Sequence, residues 1–313
     1  MTLLKRQLKK LLNSEENSLF GFLNVYKPEG ITSHDVVSQL RKVTKIKQIG
    51  HTGTLDPFAK GVLPICIGKA TRLIEYLNDE KAYLATVKFG FSTTTYDIEG
   101  EVLKKYDKKI TEIKLIQALK DFEGEISQMP PIYSAIKVKG KKLYEYARKG
   151  EEVEIKPRNV TIEKIEVKSF DFENQVAEIY IKCSKGTYIR SIAYDLGEKL
   201  ACGGHLVGLE RVQAGKFLAG NSVKLEDLKD VSIVRENLIN PLKMLDLSTL
   251  TVDDKGYDKI RFGQVLTFDN VCECSDKIKD NSFVILIYNK DIENICAIAK
   301  VEEENIKVKK VFI

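Results

Sequence analysis

Hydrophobic positions recur along this chain at two periods, and the switches between them mark its elements. Leu19 to Tyr26 reads as a strand closed by the turn residues Lys27-Pro28-Glu29-Gly30. Thr32 or Ser33 then caps a helix whose Val36, Val37, Leu40 and Val43 recur at i, i+1, i+4 and i+7. Val62 to Ile67 is a short apolar run, and Tyr83 to Phe91 a strand. Thr111 opens a helix with Leu115, Ile116, Leu119 and Phe122 on one face. A strand is expected at Val160 to Val167, and Ala177, Ile179, Ile181 and Cys183 alternate with Glu178, Tyr180 and Lys182 as in a half-buried strand. A helix starts at Gly186-Thr187, buries Ile189, Ile192, Ala193, Leu196 and Leu200, and stops at Gly203-Gly204.

Strands and helices mix here without regular βαβ alternation, which predicts an α+β fold around a central mixed, largely antiparallel sheet. Residues 123–153 interrupt the order with Met129-Pro130-Pro131-Ile132-Tyr133 and a basic stretch, as an excursion from the core would. Beyond Leu250, short strands at Gln264–Phe268, Phe283–Tyr288, Ile295–Val301 and Ile306–Phe312 predict a small C-terminal β-barrel. The expected organisation is thus an N-terminal extension (1–18), a main body (19–250) carrying the 123–153 insertion, and a small unit (251–313).

Composition narrows the setting. No run approaches the roughly 18 apolar residues of a membrane span. Lys5, Arg6, Lys9 and Lys10 break up the leucines that a signal peptide would need in sequence, so a cytoplasmic protein with no membrane partner is expected. The six cysteines include no C-x-x-C pair and there are three histidines, so no metal site is expected; Cys272-x-Cys274 is too weak a motif to hold one. Of the net charge of +5, none comes from residues 251–313, which hold 10 Lys/Arg against 12 Asp/Glu. The densest basic cluster is Lys137, Lys139, Lys141, Lys142, Arg148 and Lys149, with Tyr144 and Tyr146 among them, a composition that suits either a phosphate backbone with stackable bases or a solvated helix face.

Two polar features point to chemistry. In Gly50-His51-Thr52-Gly53-Thr54-Leu55-Asp56-Pro57 the glycines permit a tight turn, while Pro57 biases Asp56 toward an extended conformation. The loop therefore either displays the Asp56 carboxylate or starts an ordinary helix with Asp56 as its cap. Arg190 lies in the first turn of its helix, where the macrodipole disfavours a cation, so something acidic is expected to offset it. A guanidinium gripping a carboxylate in two places would orient it and keep it ionised, and Asp56 is the candidate.

Those segments together resemble the bacterial TruB-type tRNA pseudouridine-55 synthases, from about Phe20 to Leu245. The match includes the Asp56 loop, Val25 to Ser33 with its Lys27-Pro28 pair, Lys81-Ala82-Tyr83, Cys183 to Ser191 around Tyr188 and Arg190, His205 to Arg211, and Tyr133 to Arg148. The tail resembles a PUA domain through Ile260-Arg261-Phe262-Gly263-Gln264-Val265. The resemblance implies a pseudouridine-synthase fold with a PUA-like RNA-binding unit. It implies Asp56, Tyr83 and Arg190 as catalytic residues, and Lys27, His51, Tyr188 and Leu209 at the substrate. Lys141, Lys142 and Arg148 would grip the T-arm of tRNA. No cofactor is expected, the insertion implies recognition by the protein alone without guide RNA, and a monomer is expected. The alternatives are a chaperone that folds tRNA through the same surface, from another class, and a pseudouridine synthase acting on another RNA site.

Overall fold

A computed structural model describes residues 19–134, 136–138, 140–151 and 153–313. The basic extension, Met1 to Ser18, lies outside the described residues, as does Lys139. Strands in chain order are β1 (Gly21–Lys27), β2 (Ile49–His51), β3 (Lys60–Ile67), β4 (Lys81–Phe89), β5 (Phe91–Thr93), β6 (Val102–Lys105), β7 (Gly124–Gln128), β8 (Lys137–Val138), β9 (Lys141–Lys142) and β10 (Arg158–Asp171). They continue with β11 (Val176–Cys183), β12 (Gly204–Ala214), β13 (Phe217–Leu218), β14 (Val223–Lys224), β15 (Thr249–Val252), β16 (Leu266–Thr267), β17 (Val271–Cys274), β18 (Phe283–Tyr288), β19 (Asp291–Glu302) and β20 (Asn305–Val311). The helices are α1 (Ser33–Thr44), α2 (Glu112–Leu119), α3 (Leu143–Lys149), α4 (Ile189–Lys199), α5 (Val231–Glu236) and α6 (Asp254–Arg261).

The central sheet has ten strands, with the path β14-β1-β3-β12-β4-β11-β10-β7 and with β2 on β3 and β13 on β12. Its ladders are antiparallel except β1–β14 and β3–β12, so the sheet is mixed and largely antiparallel. The 123–153 segment begins inside this sheet: Gly124–Gln128 pairs with Arg158–Ile162 as its edge strand, and the excursion starts only after Gln128. A short edge strand that leaves most of its residues in solvent has no hydrophobic period to betray it. Beyond it, β8 and β9 form a hairpin that leads into α3.

The continuous apolar runs in β1 and β3 follow from burial on both faces. Leu23, Val25, Leu63, Ile65 and Ile67 pack with Val36, Val37 and Leu40 of α1 and Ile189, Ile192 and Leu196 of α4. Phe22, Val62 and Cys66 point the other way and pack against Ile285, Ile287, Ile295, Ile298 and Phe312 of the C-terminal sheet. That second sheet has the order β16-β20-β19-β18-β15-β17 and curls into a half-barrel around a third core of Val284, Leu286, Ala297 and Val301. The two sheets thus share one apolar layer.

Local signals account for the helices that carry the site. Thr32 caps α1 in a capping box with Asp35, satisfying amide groups the first turn leaves free. On α4, a Cβ at Gly197 would fall 2.1 Å from the Gly204 nitrogen, so glycine is what lets the helix lie directly on β12. Among the described residues no helix is long and apolar enough to cross a membrane.

Candidate active site

The Asp56 loop leaves β2 and enters β3, and its backbone is fastened on both sides of the carboxylate. Arg211, 1% exposed, donates from Nη2 to the Gly53 carbonyl (3.0 Å), from Nη1 to that of Thr54 (3.4 Å) and from Nε to that of Val62 (2.6 Å). Ser33, the first residue of α1, accepts the Leu55 amide at 2.8 Å and donates to the Leu55 carbonyl at 3.1 Å. Past Asp56, the Pro57 carbonyl accepts the Gly30 amide (2.8 Å) and the Lys27 ammonium (3.3 Å). Residues 57–58 form a turn, with the Ala59 amide on the Asp56 carbonyl at 3.1 Å. The loop therefore displays a carboxylate and does not start a helix.

Arg190 grips that carboxylate at both oxygens: Nε lies 3.0 Å from Oδ2, and Nη2 donates to Oδ1 at 3.2 Å. A fork of this kind fixes direction as well as charge. The same guanidinium reaches a second carboxylate, Asp97, at 3.2 Å, and the carbonyls of Tyr133 (3.0 Å) and Thr95 (3.4 Å). Asp97 is 2% exposed, and its Oδ1 accepts the Thr95 hydroxyl and the Glu99 amide. One arginine thus ties together the Asp56 loop, the 95–97 turn and the start of the insertion. The acidic offset expected for Arg190 consists of two aspartates. Asp97 escapes sequence reasoning: it sits in a threonine-rich turn without periodicity, where an Asp ordinarily serves the turn itself.

Above Asp56 opens a cavity of about 430 Å³ lined by Tyr83, Tyr133, Tyr188, Leu209, Lys81 and Arg211 among others. Tyr83 on β4 lies in register with Arg211 on β12, which sets Leu209 two residues along the same face. Tyr188 is held by its backbone, whose amide donates to Gln128 Oε1 and whose carbonyl accepts from Gln128 Nε2. A second hollow of about 350 Å³, lined by Pro57, Thr95, Asp97 and Glu99, shares Asp56, Tyr133 and Arg190 with the first.

Burial pushes the Asp56 carboxyl above the ordinary carboxylate range; Arg190 pulls it back, while Asp97 adds to the rise. Burial likewise raises the Tyr83 hydroxyl, against the opposing charge of Arg211. His51, at the end of β2, is held below the usual imidazole range by burial and then by Arg211, which favours its neutral form.

The other expected substrate residues divide. Lys27 is fully buried beneath the loop, where it donates to the carbonyls of Pro28, Ile31 and Pro57, and desolvation brings it down to about 8. It therefore braces the loop and does not form the cavity wall. Lys141 is exposed on the β8–β9 hairpin with its ammonium over the Tyr146 ring. Lys142 lies on β9 and Arg148 on α3; their side chains lie outside what is described.

A bidentate Arg–Asp pair thus stands at the floor of a cavity on a mixed, largely antiparallel sheet, an oriented carboxylate facing an enclosed volume. Residues 41–189 match the model of the TruB family pseudouridylate synthase N-terminal domain, and 190–246 that of the tRNA pseudouridylate synthase B C-terminal domain. The chain is 42% identical over 290 residues to the tRNA pseudouridine synthase B of Clostridium acetobutylicum, covering 92% of this chain and 98% of that one. It is 41% identical over 306 residues to the protein of the same name from Clostridioides difficile, covering 93% and 99%. Among solved structures it resembles an H/ACA RNP bound to a substrate RNA containing 2′-deoxyuridine, with a TM-score of 0.72 at 25% identity over 96% of this chain and 87% of that one. A Cbf5-Nop10-Gar1 complex gives the same score and coverage at 26% identity. The chain belongs to the TruB family of pseudouridylate synthases and is an intramolecular isomerase.

Proposed function

We propose that this isomerase converts uridine 55 in the T-loop of tRNA to pseudouridine, with Asp56 as its covalent catalyst. The supporting observation is the Asp56 carboxylate, held at both oxygens by Arg190 and facing a cavity lined by Tyr83 and Leu209. The reaction breaks the bond from ribose C1′ to uracil N1, turns the base and rejoins it through C5. Atoms and electrons balance without a redox partner. What it needs is an ionised carboxylate and a pocket that retains the detached base.

Arg190 keeps Asp56 ionised against its burial and aims it. Asp56 attacks either the ribose or the pyrimidine ring, or assists elimination of the base. Tyr83 stacks on the uracil and assists removal of the C5 proton, and Leu209 and Tyr188 complete the wall. Extruding the base from a folded loop costs roughly a few kcal/mol. Phosphate contacts from Lys141, Lys142 and Arg148 on the T-arm offset that cost, and His51 fills the space the base leaves. On this reading residues 19–250 form the catalytic unit and 251–313 a PUA-like RNA-binding unit, and the monomer works in the cytoplasm without guide RNA. Mapping pseudouridine in RNA from cells with and without the gene tests the proposal. Loss confined to position 55 of tRNA is expected; an unchanged tRNA with loss elsewhere would overturn it.

A further inference from the structure

Four cations and one acid line the main cavity: Lys81, Lys185, Arg190 and Arg211 against Asp56. Two of the cations are balanced from within the protein. Arg190 pairs with Asp56 and Asp97, and Lys185 with Asp79 at 3.1 Å. The other two meet no carboxylate at ion-pair distance among the described residues, and Asp79 acts on Lys81 only from farther off and more weakly than Arg211 opposes it. Arg211 spends its donors on main-chain carbonyls and, among the described residues, meets no carboxylate. The Lys81 ammonium makes neither a hydrogen bond nor an ion pair among the described residues.

These two charges flank the same piece of backbone. A Cβ built on Gly53 would lie 3.8 Å from Lys81 Nζ and 3.7 Å from Arg211 Nη1. The glycine leaves that space open, three residues before Asp56. Lys81 is held below the usual lysine range by desolvation and then by Arg211, as two like charges sharing a half-enclosed site should be. An anion between them would relieve both effects.

We infer that Lys81 and Arg211, on either side of Gly53, form a seat for a phosphodiester of the RNA strand that enters the cavity. The inference rests on the RNA substrate proposed above. A nucleotide whose base lies over Asp56 carries its flanking phosphates into the same cavity, and a phosphate oxygen suits both an ammonium and the edge of a guanidinium. Lys81 supplies the mobile contact. Arg211, already fixed by three carbonyls, supplies a preset charge.

The test uses the full chain and unmodified tRNA transcript, reading the dissociation constant against salt concentration and pseudouridine formation by tritium release. Lys81→Gln is expected to weaken binding about tenfold at low salt and to reduce the magnitude of the log–log salt slope by about 0.7 to 0.9, the contribution of one phosphate. Lys81→Arg is expected to restore both. Gly53→Asp places a carboxylate in the seat, and its binding is expected to fall at least tenfold below that of the equal-sized Gly53→Asn. An unchanged slope in Lys81→Gln, or equal binding by the Asp and Asn variants, would overturn the inference. Wild-type protein that binds tRNA with these slopes yet forms no pseudouridine would instead overturn the proposed function and leave the seat standing.

Discussion

Replacing Arg190 by Met keeps the apolar bulk of the side chain and removes the charge that holds Asp56 and Asp97 together. Both carboxylates then have no guanidinium beside them, and the carbonyls of Thr95 and Tyr133 have no donor from it. Removing one partner of a buried pair costs about 3–5 kcal/mol, because the remaining charges stay buried. The lower end applies, since a third of the Asp56 side chain remains exposed. The sign with pH follows from Asp56. Its folded carboxyl already lies above the ordinary value of 3.8, and Arg190 is the largest influence holding it down, so the variant raises it further. A folded group that binds protons more readily than the unfolded chain adds stability as pH falls through its folded pKa, and the gain levels off below the unfolded value. Acidification should therefore narrow the gap between variant and wild type. Urea unfolding is expected to show a deficit of about 3 kcal/mol near neutral pH that shrinks as pH falls through the variant's raised Asp56 pKa. Tritium release at neutral pH should fall more than about 100-fold, the equivalent of two decades at about 1.4 kcal/mol each. A deficit that stays constant or widens toward acid pH would refute the electrostatic reasoning.

Other perturbations test the scaffold. Ser33→Ala strips two hydrogen bonds from Leu55, leaving buried backbone groups unpaired at about 1–3 kcal/mol each; kcat should fall about tenfold with tRNA affinity unchanged in a filter-binding assay. Gly61→Ala would set a Cβ 2.3 Å from the Arg211 carbonyl oxygen at a φ of +107°, so chemical denaturation should show a loss of more than about 2 kcal/mol. Neutralising Lys141, Lys142 and Arg148 together should weaken tRNA binding and reduce the salt slope by about 0.9 for each phosphate that these side chains neutralise.

Much of this arrangement is legible in the sequence because its signals are local. Thr32 and Thr111 cap their helices, and the alternation from Ala177 to Cys183 matches the observed burial residue by residue. Phe283–Tyr288 is recovered in full. Boundaries drift where packing decides: the Arg190 helix starts at Ile189 and ends at Lys199, not at the glycines on either side. A half-barrel stands where the strand pattern predicts a barrel, because short alternating strands carry no sign of whether a ladder closes. Asp56 and Arg190 stand out by breaking local rules. Asp97, Ser33 and Arg211 do not, because their roles come from partners 93, 22 and 158 residues away in the chain. The family resemblance puts Lys27 at the substrate, while its buried ammonium serves three carbonyls of the loops around it.

In the proposed mechanism the Asp56 carboxylate does the covalent work and the rest of the site aims it. Asp56→Asn keeps size and shape and replaces one carboxylate oxygen with an amide NH2, which removes the charge. In a filter-binding assay the variant is expected to bind tRNA as the wild type does, and in single-turnover tritium release with the enzyme in excess over tRNA it is expected to form no pseudouridine. Turnover by the variant at a rate near that of the wild type would contradict that mechanism.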